Sequence, residues 1–93
     1  MALRILGSKT VEKDVSDIEQ LILGPFKKAR TVRLMADVML FVHVVADGES
    51  LDGNHGYPIC DLAYEDIEVP GGHYLLILGT ERGKVWLTEF AHG

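Results

Sequence analysis

The sequence predicts an α+β fold: a curved, mainly antiparallel sheet of about five strands, able to close into a barrel, with one short helix near residues 14–23. Three observations carry that reading. Residues 31–47 alternate, with an apolar side chain at every even position from Val32 to Ala46, and a period of two marks a strand. Val11, Val15, Ile18 and Ile22 recur at spacings of four, three and four, which places them on one face of an amphipathic helix. The second half of the chain is punctuated by turn sequences, Pro70-Gly71-Gly72 and Thr80-Glu81-Arg82-Gly83, between short apolar runs, as in a meander of strands.

The elements follow in order. Leu3 to Leu6 reads as a short strand stopped by Gly7. Ser16 and Glu19 stand three apart, as in a capping box, and Thr10 offers an earlier cap. Gly24-Pro25 ends the helix, because glycine accepts a left-handed conformation and proline cannot continue the ladder. Pro25 could also open a second helix over 25–36, so that stretch is open to either helix or strand. The β-branched residues of 38–46 favour strand there. A straight strand over the whole alternating run would span about 53 Å. A globule of this size is only about 30 Å across, so the run must break near Ala36–Asp37 or bend. Strands are expected again at 62–69, 73–79 and 84–90.

The apolar pattern demands more cover than one helix can give. Tyr74 to Leu78 is apolar at every position, and so is Val38 to Val45 apart from His43. Strands of that kind are covered on both faces. A curled sheet with self-association, as a homodimer, meets the demand, since a lone exposed face would invite aggregation.

Length and composition exclude several function classes. At 93 residues, with 47% of them apolar, the chain is a single domain, 1–93, with enough to bury. It is too short for a full dinucleotide-binding fold. The longest apolar stretch, 34–46, contains Asp37 and His43 and is shorter than a membrane span. The N-terminal residues lack the arrangement of a signal peptide. A soluble, cytoplasmic protein is expected. One cysteine excludes an internal disulfide framework.

Charge is unevenly laid out. Residues 1–36 hold seven Lys or Arg against four Asp or Glu, and residues 37–93 hold two against ten, which together give the net charge of −5. An acidic second half disfavours nucleic acid. It suggests a surface for a basic protein partner, with Asp47, Glu49, Asp52, Glu65, Asp66 and Glu68 as its residues. Lys27, Lys28, Arg30 and Arg33 form a small basic cluster, read as a solvated connection or an anion footprint.

Chemistry-bearing residues are few. His55, Cys60 and His73 could hold zinc or another transition metal, because imidazole and thiolate suit such ions, although their spacing is not that of paired ligands. No nucleophile elbow or phosphate-cradling loop occurs in the sequence, since each needs its own glycine spacing. Glu65 and Asp66 are adjacent in an expected strand and so point to opposite faces. The sequence therefore favours a non-enzymatic binding or regulatory protein that acts through a protein surface and needs no cofactor. A barrel binding a metal or small ligand through the 47–61 loop is the alternative.

Overall fold

The structure, a computed structural model, describes residues 3–5, 10–46 and 56–92. Within them the chain forms nine strands, β1 (Leu3–Ile5), β2 (Val11–Val15), β3 (Leu21–Leu23), β4 (Arg30–Ala36), β5 (Leu40–Ala46), β6 (Tyr57–Ile59), β7 (Glu65–Val69), β8 (His73–Gly79) and β9 (Gly83–His92). Every pairing between them is antiparallel. One sheet runs β9-β4-β7, with β1 and β2 sharing the outer edge of β9; the other runs β3-β8-β5-β6. The chain crosses between the sheets at almost every connection. The strand orders β2-β9-β4-β7 and β3-β8-β5-β6 are those of an eight-stranded double-sheet jelly roll.

The expected α+β class is thus corrected to all-β, with nine strands rather than about five, and no helix among the described residues. The segment 14–23 is the end of β2, a corner and β3. Its capping signature is present but heads only one turn: Ser16 Oγ accepts the amide of Glu19 at 3.0 Å and that of Ile18 at 3.3 Å. The Ser16 carbonyl then accepts the amide of Gly79 from β8 at 3.0 Å, tying the corner to the smaller sheet. The expected helical face does not exist. Val15 is buried, whereas Ile18 at the corner is 81% exposed. All four residues of that face are β-branched, a composition that suits a pleated strand better than a helix.

The alternating run 31–47 behaves as its period dictates. It forms β4 and β5, with a break at residues 37–39, and 25–36 carries strand rather than helix. Val32, Leu34, Ala36, Val38, Leu40 and Val42 all enter the core, so the inward parity survives the corner while the strand passes from one sheet to the other. The arch between β8 and β9 pins that corner. Asp37 Oδ1 accepts the amide of Lys84 at 2.8 Å, and the Asp37 amide donates to the Lys84 carbonyl at 3.2 Å. The Met39 carbonyl accepts both the amide and the hydroxyl of Thr80 at 3.0 Å.

Inner faces of the two sheets make one core. Leu34, Val85 and Leu87 from the larger sheet meet Leu40, Leu75 and Ile77 from the smaller. The molecule measures 35 × 30 × 17 Å.

Candidate functional site

A concavity opens at one end of the sandwich, between the sheets. Its volume is about 620 Å³, and its walls come from β2, β4, β9 and the segment linking β3 to β4. Val11, Leu23, Phe26, Val32 and Leu87 make it largely apolar. Register explains why it is open. On the inward face of the larger sheet, Val11 lies opposite Leu87 and Lys13 opposite Val85, while Val32 lies opposite Glu89 and Leu34 opposite Leu87. Leu34, Val85 and Leu87 are buried. Toward the open end the same inward parity falls on Arg30 and Glu89, and on the edge strand Lys13 stands exposed beside Val85; charged side chains do not pack together as a hydrophobic core does.

The remaining lip is the segment 24–28. It is anchored by backbone hydrogen bonds to the turn before β8. The Phe26 amide donates to the His73 carbonyl at 3.0 Å, and the Gly72 amide donates to the Phe26 carbonyl at 2.6 Å. Gly24 has φ +112°, and a side chain there would meet the His73 carbonyl oxygen at 2.9 Å. Lys27 and Lys28 follow on the lip and are exposed. Arg30 is half-buried, with Nη1 donating to the Ala29 carbonyl at 2.9 Å. Four cations and one carboxylate therefore line the mouth, in a chain whose net charge is −5. None of these five side chains lies within ion-pair distance of an opposite charge among the described residues.

The residues singled out from the sequence fall elsewhere. His55, Asp47, Glu49 and Asp52 lie outside the described residues. Cys60 is exposed, just past β6. His73 opens β8, its Nδ1 3.1 Å from the Gly71 carbonyl oxygen. Ile59 pairs with Leu40 and His73 with Ala46. These partners are six residues apart on β5, or about 20 Å, so the fold does not bring Cys60 and His73 together. No cluster of three or more His, Cys, Asp or Glu side chains suited to a metal ion occurs among the described residues.

The acidic residues of β7 do not form one patch. Glu65 shares the inward parity of Ile67 and Val69, while Asp66 and Glu68 point outward. Asp66 is engaged: its carboxylate takes two hydrogen bonds from Arg33, at 2.7 and 2.9 Å. The Arg33 guanidinium also lies over the rings of Tyr64 and Phe90, 4.8 and 5.0 Å from their centroids, within cation–π range. The hydrogen bond and charge of Arg33 hold the Asp66 carboxyl below the usual range, and Lys84 does the same for Asp14, mainly by a hydrogen bond. A carboxyl depressed in the folded state stabilises it above the unfolded pKa of about 3.9, and that gain disappears as pH falls through the folded value. Asp66→Asn is accordingly expected to lower the melting temperature modestly at pH 7, with the gap to the parent closing below about pH 4. Thermal melts at both pH values check this.

The smaller sheet presents Ile22, Phe41, His43, Val45, Leu76 and Leu78 on its outward face, by register. Val45 and Leu76 are only 1% exposed within the single chain, so much of that face is already closed. No helix among the described residues is long and apolar enough to cross a membrane.

The basic half of the mouth is visible in the sequence as Lys27, Lys28 and Arg30. Lys13 and Glu89 are not recognisable there as its members, although Glu89 continues the inward parity of Val85 and Leu87. In comparisons with known proteins the chain matches no family model, no curated protein and no solved structure.

Proposed function

We propose that this is a non-enzymatic binding domain that takes a small ligand into the mouth between its two sheets. The observation that carries the reading is the concavity of about 620 Å³, lined mainly by apolar side chains with a few charged ones among them. Small-molecule sites have that size and composition, and they favour the mouths of β-barrels. The lip is held in place by backbone hydrogen bonds, so the pocket stands preformed and little ordering is needed on binding.

An NMR titration with 4-phenylbutanol, a neutral probe with an apolar body, tests the site. Saturable shifts are expected at the amides of Val11, Leu23, Val32 and Leu87. Val11→Trp, at a half-exposed lining position, should fill the mouth and abolish them while leaving the melting temperature nearly unchanged. Diffuse shifts, or binding untouched by the tryptophan, would refute the reading.

A second reading is the self-associating protein-binding domain suggested by the apolar strands. It is favoured by Ile22, 45% exposed beside Leu76, with Phe41 and Leu78 half-buried on the same outward face. Light scattering on the titration samples decides it: a dimer held by this face dissociates in Ile22→Glu, and a mass that stays monomeric at high concentration removes it.

A further inference from the structure

We infer that the ligand of the mouth is a carboxylate on an apolar body, seated with its charge toward Arg30 and the lip lysines. This rests on the small-ligand reading above and goes beyond it by naming the chemical class.

Three features support it. First, the charge is placed against the rule of the fold. Along β4 the inward positions run Arg30, Val32, Leu34, Ala36, and along β2 they run Val11, Lys13, Val15. Arg30 is half-buried at such a position, and withdrawing a cation from water costs solvation unless something compensates it; Lys13 is exposed. Second, the compensation is incomplete within the chain. Among the described residues Glu89 is the sole carboxylate on the lining, against Lys13, Lys27, Lys28 and Arg30. It sits opposite Val32, one inward position away from Arg30, and makes no ion pair with it. Third, the lining brings apolar side chains and cations together. Val11, Leu23, Phe26, Val32 and Leu87 supply a wall for a hydrocarbon or aryl body. The guanidinium of Arg30 supplies the planar fork that matches a carboxylate through two parallel hydrogen bonds.

The anionic surface elsewhere sharpens the choice. A molecule of net charge −5 repels small anions in general, so an anion that enters here must also gain from the apolar wall. A bare inorganic anion lacks that second contribution and is expected to bind more weakly.

Isothermal titration with three probes of one shape tests the inference: 4-phenylbutyrate, 4-phenylbutanol and 4-phenylbutylamine. The carboxylate is expected to bind about tenfold more tightly than the alcohol, the amine more weakly than either, and the carboxylate alone to weaken as salt is raised. Arg30→Gln should bring the carboxylate to the level of the alcohol and leave the alcohol where it was. The Lys27→Gln, Lys28→Gln pair, on solvated positions, should reduce the salt dependence without altering the melting temperature. Equal affinity for the acid and the alcohol would overturn the inference while leaving the pocket reading intact. Failure of all three probes would overturn the pocket itself. Competition by inorganic phosphate as strong as that by 4-phenylbutyrate would make the site one for a bare anion and overturn the amphipathic class.

Discussion

Leu34→Ala is expected to destabilise the domain by about 2–5 kcal/mol, far more than truncation of any exposed side chain. Leu34 is fully buried at the centre of β4, flanked by Leu87 on β9 and facing the apolar side chains of the other sheet. Removing it takes away the transfer free energy of the lost carbons and leaves a void that two hydrogen-bonded layers cannot close. A domain of this length has a total stability of about 5–14 kcal/mol, so the loss is a large share. Thermal and urea melts should show it as a melting temperature lower by about 10 °C or more. Ile18→Ala is the companion measurement. A helix over 14–23 would make Ile18 a core residue; the jelly roll leaves it on an exposed corner. A change within about 0.5 kcal/mol supports the corner, and a loss comparable to that of Leu34→Ala would contradict the fold described above.

Gly24→Ala is expected to cost about 2–4 kcal/mol and to reshape the mouth at the same time. Two independent penalties meet there. At φ +112° an L side chain is strained whatever the space. The added methyl would also press on the His73 carbonyl oxygen, the acceptor of the Phe26 amide. Relief requires the lip to lift away from the turn at 70–72, which breaks both hydrogen bonds and moves Phe26 out of the wall. Stability and ligand affinity should therefore fall together, in contrast to Val11→Trp, where affinity alone is lost. Hydrogen exchange at the Phe26 and Gly72 amides is the direct readout, and unchanged protection there would refute the argument.

How much of this fold is legible in the sequence depends on the range of the information involved. The alternation of Val32, Leu34, Ala36, Val38, Leu40 and Val42 is written residue by residue; length adds that the run must break or bend, and the structure breaks it after Ala36. The helix expected near 14–23 is absent for an instructive reason. Ser16 and Glu19 do make the hydrogen bond of a helix cap, but the same geometry also turns a corner. The partner that decides between them is Gly79, sixty-three positions away. The sequences at 70–72 and 80–83 announce reversals, and reversals are what they form. A turn does not reveal whether the next strand lies beside the last one or crosses to the other layer. Here both cross, and a sandwich replaces the expected meander.

The candidate site shows the same limit. Lys27, Lys28 and Arg30 are neighbours in sequence and stand out as a group. Lys13 and Glu89 join them only through the pairing of β2 and β4 with opposite edges of β9. Parity along each strand marks Arg30 and Glu89 as inward-facing, and that signal becomes readable once both strands are known. Of the expected metal set, Cys60 and His73 are linked by residue type alone, and the register of β6 and β8 on β5 holds them apart.

The alternation of layers along the chain has a consequence for how this protein reaches its native state. Among the described strands only β5 and β6 are both consecutive and side by side, and ten residues separate them. No tight hairpin is available among them as an early nucleus. Almost every ladder must be closed between segments remote in sequence, which places the domain among the high-contact-order proteins that acquire structure over milliseconds to seconds. The apolar strands β5 and β8 are covered only once ladders between remote segments have closed, and slow closure of that kind lengthens the time for which apolar strands are exposed to aggregation.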